Sequence, residues 1–302
     1  MSFSTPPLIA PPKEDVIYPY RRVWRSLIQE TIITVVICGV TFVVYQFIGL
    51  NLPELVERGF VLILALLPLI LWILFSRFAE TRVPVPRVGL NTTLGLSALA
   101  AAAIGVPLVN TVIQPSDWLS LESAPTRIFG YMLTAGIVQE FIKFLVVRYV
   151  SGPLALRIRE DSIAYCIAAA VGYMTVLNLF YVFNHPAAGP DMVSLRVLHY
   201  MSINVAGSLI MSYGIAQTWF GRVSPLLMPF TLLAAAFING LVIPLRSGLA
   251  NASLLLSGAS ASPLFSVAFS SGIVFVAIGL VLFFYRVVEE QERISRESGS
   301  LT

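Results

Sequence analysis

Long apolar runs broken by short polar stretches organise the chain. Runs of roughly 18 or more mostly apolar residues occur at 26–49, 59–76, 91–113, 128–150, 162–184, 197–220, 225–245 and 263–285. A helix of that length crosses about 30 Å of hydrocarbon with every backbone N–H and C=O bonded internally. The pattern therefore predicts an all-α fold, a polytopic membrane bundle of about eight transmembrane helices. The seventh run is the least regular, because it starts at Pro225 and contains Pro229 and Pro244. The first is too long for a signal-peptide core and no small-residue cleavage site follows it, so it reads as an uncleaved anchor.

Composition agrees and narrows the function classes. Of 302 residues, 57% are hydrophobic and 12% charged, with a mean hydropathy of +0.84. A soluble domain carries about 25% charged residues. A net charge of +3 excludes a nucleic-acid binder built on a basic surface. Cys38 and Cys166 both sit inside apolar runs, which excludes a disulfide framework and a cysteine zinc site. With a cytoplasmic N-terminus, the inner segments hold fourteen Lys and Arg and the outer segments four, Arg58, Arg127, Arg196 and Arg246. That asymmetry puts both termini in the cytoplasm. The expected layout is a disordered, proline-rich tail at 1–25, the bundle at 26–285 with Ser247–Ser262 as its longest external loop, and a charged cytoplasmic tail at 286–302. Together with 17 Arg against 2 Lys, this layout suits a multi-pass protein of the plasma or bacterial inner membrane.

An ionisable group at mid-bilayer costs about 2.5–3.5 kcal/mol on insertion scales, so each one is a candidate for function. The fourth run holds most of them. Gln139, Glu140 and Lys143 fall at i, i+1 and i+4 on one helix face, and Glu140 and Lys143 at i, i+3 are spaced to form an ion pair. Three amides lie deep in the next three runs, Asn178, Asn204 and Asn239. One reading is a polar cavity shared by four consecutive helices; the other is interhelical glue. His185, in an external turn, and His199, near the outer end of the sixth run, read as hydrogen-bonding groups at the interface, with Arg196 as an anchor.

The segment Ala135 to Phe144, A-G-I-V-Q-E-F-I-K-F, resembles the E-E-x-x-K motif of the PrsW family of intramembrane proteases, relatives of the CAAX and bacteriocin-processing membrane peptidases. Gly172 to Tyr181 is similar to that family's G-F-x-x-x-E-N-x-x-Y. Arg196 followed by Asn204 is similar to its R-x7-H, and Phe237 to Leu241 to its apolar-H-G-L. The resemblance covers about 128–245. It implies glutamates and histidines that converge in the membrane, bind a metal or activate water, and cleave a peptide bond in or near a transmembrane segment. Here the first glutamate is Gln139, the glutamate before Asn178 is Leu177, and the two histidines are Asn204 and Asn239. A slip of five residues would instead put His199 in the first histidine position.

An amide keeps the shape and hydrogen bonding of the residue it replaces but is a poor base and a poor metal ligand. Glu140 therefore stands as the one catalytic candidate, and the expectation is a non-catalytic pseudo-protease without a cofactor. In this reading it binds a transmembrane protein segment through Gln139, Glu140, Lys143, Asn178, Asn204 and Asn239. The alternatives are an active peptidase, with zinc as its cofactor, that cleaves membrane-anchored regulators such as anti-sigma factors, and a structural subunit of a membrane complex or a transporter. Lipid is a partner in every case and nucleic acid in none.

Overall fold

The computed structural model describes residues 23–50, 52–83, 86–120, 122–150, 155–221, 224, 226–246 and 263–299. Residues 1–22 of the expected tail and the loop Ser247–Ser262 lie outside the described residues. Within them the protein is an all-α bundle without strands. Its long helices are α1 (Val23–Ile48), α2 (Glu54–Glu80), α3 (Leu90–Ile113), α4 (Pro125–Val150), α5 (Arg159–Asn184), α6 (Pro190–Phe220), α7 (Leu227–Arg246) and α8 (Pro263–Gly299). A short helix, Pro115–Leu119, joins α3 to α4.

Seven of the eight are long and apolar enough to cross a membrane; α6 is not among them, although it spans 31 residues. The physical reason lies in its surroundings. α6 packs against α1, α2, α4, α5, α7 and α8, and every residue from Val197 to Leu209 is buried. A helix enclosed by protein along its middle stretch can carry His199, Asn204 and several serines there, because those polar groups do not face lipid. Helices α2, α5 and α6 also begin before their apolar runs. Their first turns hold Glu54 and Glu57, Glu160 and Asp161, and Asp191, where acidic side chains favour a helix N-terminus.

α5 is the second central helix, buried without a break from Asp161 to Thr175. Its small residues set the spacing to α3. A Cβ on Gly172 would overlap the backbone of Leu94, and Ser97 Oγ donates to the carbonyl of Ala169 at 2.7 Å. The run Ala168–Ala170 and Gly172 thus serves close packing within the chain, where no bulkier side chain fits.

At the end of the bundle where α2 finishes and α5 starts, an ionic cluster ties the two helices together. Arg87 donates from Nε to Asp161 Oδ1 (2.5 Å) and from Nη1 to Glu80 Oε2 (3.2 Å), and all three side chains are buried. The Arg87 backbone N–H reaches Glu80 Oε1 at 2.7 Å, while Asp161 Oδ2 accepts the N–H groups of Arg157 and Ile158. Removing one partner of a buried ion pair destabilises by about 3–5 kcal/mol, because the remaining charge stays desolvated. Arg87→Ala, which removes the guanidinium shared by two buried carboxylates, is expected to abolish the monodisperse peak of detergent-purified protein in size-exclusion chromatography. Arg87→Lys is expected to recover only a fraction of it, since an ammonium lacks the fork that serves both carboxylates.

Candidate functional site

α4 enters the bundle in close backbone contact with α7 at two glycines. A Cβ on Gly136 would stand 2.5 Å from the carbonyl oxygen of Ala236, and Gly240 of α7 sits equally tightly on the backbone of Ile128 and Met132. Residues Met132–Gly136 form a π-helical turn. Such a turn re-aims the residues that follow and recurs at functional sites. The residues that follow are Gln139, Glu140 and Lys143, all buried on α4.

Four of the six expected site residues meet. Lys143 Nζ donates to Glu140 Oε1 at 2.7 Å and to Asn204 Oδ1 of α6 at 3.1 Å. Asn239 Nδ2 of α7 donates to the same Glu140 Oε1 at 3.1 Å. Asn204 Nδ2 in turn donates to the carbonyl of Tyr200 at 2.9 Å, which fixes the orientation of its amide. Glu140, Lys143, Asn204 and Asn239 are all 0% exposed, so the cluster is closed inside the bundle. Gly207, one turn beyond Asn204 on α6, makes room for the carboxylate: a Cβ there would lie 2.7 Å from Glu140 Oε1.

Asn178 Nδ2 donates to the carbonyl of Ala65 on α2 at 3.3 Å, so this amide ties α5 to α2. Gln139 is buried beside Glu140, and its Oε1 has no hydrogen-bond partner. His199 precedes Asn204 by five residues, about 140° around the helix, so the two cannot share a face; the face toward Lys143 belongs to Asn204. His185 is exposed and stacks on Tyr181 with ring centroids 4.4 Å apart. Arg196 lies over the rings of Tyr181 and Tyr200 and donates to the Tyr200 hydroxyl. These form an aromatic and cationic anchor at the end of α5 and the start of α6. Two structural residues carry no motif in the sequence, Gly207 at the cluster and Arg87 in the ionic cluster between α2 and α5. The only signal for Gly207 is its i+3 spacing from Asn204, and Arg87 reads as one more inner-loop charge.

The chemistry of this donor set can be stated. Oε1 of the one carboxylate is taken by an ammonium and an amide, and Oε2 is buried without a partner. Catalytic zinc takes three protein ligands from His, Asp, Glu or Cys. Among the described residues no group of three such side chains is placed to hold a metal ion. One carboxylate, an ammonium and two amides do not supply that donor set, so the described residues of this cluster do not fit zinc. What they build is a neutral, hydrogen-bonded link between α4, α6 and α7.

No curated protein and no solved structure matches the chain. A model of the PrsW family of intramembrane metalloproteases matches residues 86–242, which takes in α3 through α6, most of α7 and the whole cluster. The match begins well before residue 128, where the resemblance in the motifs begins, and it takes in α3, which packs on α5 at Gly172 and Ser97. Just over half of the chain is covered, and on that basis the protein belongs to the PrsW family of intramembrane metalloproteases.

Proposed function

We propose that this chain is a catalytically silent member of the family, which acts by binding a transmembrane segment of another membrane protein at the polar cluster of α4, α6 and α7. The observation that carries the reading is the commitment of Glu140. Its Oε1 accepts from Lys143 and Asn239 at once, and the side chains around it at 139, 204 and 239 are amides. A general base needs a lone pair free toward water, and this carboxylate is sealed inside the bundle. Metal-activated water would need imidazoles or carboxylates where the asparagines stand. The retained shape supports binding: amides offer both donors and acceptors, which suits a helix with polar or unwound backbone. In cells the protein then sits in the plasma or inner membrane, with a membrane-embedded partner.

Metal content tests the silent half of the reading. Protein purified in mild detergent without chelators is expected to carry far less than one zinc per chain by elemental analysis. About one zinc per chain, lost on Glu140→Gln, would sink the proposal and return an active peptidase.

A further inference from the structure

The three helices that share the polar cluster also enclose a cavity at one end of the bundle, where α4 and α6 finish and α7 starts. It holds about 250 Å³ and is lined by Phe144 and Arg148 of α4, Ile215, Thr218 and Trp219 of α6, and Met228 of α7. Phe144 follows Lys143 directly, and Arg148 lies five residues beyond Lys143, about 7.5 Å further along the helix. The asymmetry of the loop charges places this end in the cytoplasm. An exposed tryptophan such as Trp219 at a helix end marks the depth of the lipid headgroups.

The cavity holds a cation and no acid. Arg87 is committed to Glu80 and Asp161, and Arg157 to the carbonyl of Pro86. Arg148 is exposed and meets no carboxylate among the described residues. Its Cζ stands over the Trp219 ring, 5.4 Å from the centroid, a contact that orients the guanidinium without using a hydrogen-bond acceptor. Phe144, Ile215 and Met228 make the rest of the wall apolar. A cation in the last turn of α4 also favours the helix C-terminus, a role that needs neither a cavity nor a ligand.

We propose that this cavity holds the headgroup of an anionic phospholipid from the cytoplasmic leaflet, with the Arg148 guanidinium forked onto its phosphate and Trp219 beside it. Basic pockets between transmembrane helices on the cytoplasmic side recognise such headgroups, and the arginine fork matches two phosphate oxygens at once. The lining selects against a zwitterionic lipid, because a choline would bring a second cation to Arg148 with no carboxylate to receive it. Phe144, Ile215 and Met228 cover the glycerol and the first methylenes. The bound lipid ties α4 to α6 and α7 on the cytoplasmic side of the cluster, whether or not the cluster binds a partner helix.

Protein purified in mild detergent is titrated with phosphatidylglycerol or phosphatidylcholine of identical chains, and bound lipids are counted by native mass spectrometry. The first phosphatidylglycerol is expected to bind about tenfold more tightly than the first phosphatidylcholine, the step that a bidentate charge-assisted pair adds. Arg148→Gln is expected to remove the preference. Met228→Trp, which fills the cavity and keeps Arg148, is expected to remove it too. Arg25→Gln, an exposed arginine on α1 at the same end and outside the cavity, is expected to leave it unaltered. Phosphatidylglycerol is expected to raise the unfolding temperature of the wild type with the logarithm of its concentration, and to leave Arg148→Gln unmoved. An equal loss of unfolding temperature for Arg148→Gln in both lipids, with unchanged lipid counts, would make Arg148 only a counter-charge for the end of α4 and overturn the site. A preference that survives Met228→Trp, or is lost in Arg25→Gln, overturns it as well. Glycerol phosphate without chains is expected not to compete; full competition would make a soluble phosphate ester the ligand and overturn the lipid.

Discussion

Lys143→Met is expected to leave almost no folded protein, while the double variant Glu140→Gln/Lys143→Met folds close to wild-type yield. The ion pair is 2.7 Å long and both side chains are fully buried. Taking away the ammonium leaves a carboxylate with one amide donor and no counter-charge in a low-dielectric interior, a loss of about 3–5 kcal/mol. A membrane protein with a stability of about 5–15 kcal/mol does not keep its yield through such a loss. Replacing both charges by neutral groups of similar volume removes the desolvation cost along with the attraction, and exchanges of this kind are often neutral. In the double variant the new amide oxygen at position 140 can still accept from Asn239. The check is thermal unfolding in detergent for the four corners of the cycle, with coupling read as the departure from additivity. If the double variant is as damaged as Lys143→Met, the charges themselves hold the bundle and the pair is more than a neutral link.

The same pair shows how far the sequence carries. The helices were legible because crossing hydrocarbon needs about 20 apolar residues in a row, a signal that survives without any partner. Glu140 and Lys143 were legible as a pair because both lie on one helix at i, i+3. Asn204 and Asn239 could be grouped with them only by their depth in the runs and by resemblance, since which face of α6 or α7 turns toward α4 is decided by packing. The glycines at 136, 207 and 240 set that packing, and a missing side chain leaves no periodic trace. Asn178 shows the opposite case. Its depth in the fifth run grouped it with the cluster, and its amide nitrogen bonds the carbonyl of Ala65 on α2. α6 fell short as a membrane span for a related reason: hydropathy prices a side chain against lipid, and this helix meets protein.

Gln139→Glu/Asn204→His/Asn239→His is expected to bind about one zinc per chain, where the wild type binds almost none. The geometry favours the gain, because residues 204 and 239 already touch the two ends of one ion pair, at 3.1 Å to Lys143 Nζ and 3.1 Å to Glu140 Oε1. Imidazoles there would bring two nitrogen donors to the carboxylate of Glu140, which makes the three protein ligands that catalytic zinc takes, with Gln139→Glu restoring the acidic pair that the motif resembles. Neither single Asn→His substitution is expected to hold metal through purification, since one carboxylate and one imidazole make only two ligands. The new imidazoles lose their amide donors, so Lys143 gives up its bond to position 204 and the metal-free variant is expected to unfold at lower temperature than wild type. Zinc is then expected to raise its unfolding temperature in proportion to the logarithm of free metal, and a chelator to reverse the rise. That response separates a rebuilt site from metal caught on the surface, which does not stabilise the fold. A triple variant that folds and binds no zinc would mean that the backbones of α4, α6 and α7 have themselves drifted from a metal-holding arrangement. The chain's silence would then lie in its helix packing as well as in four changed side chains.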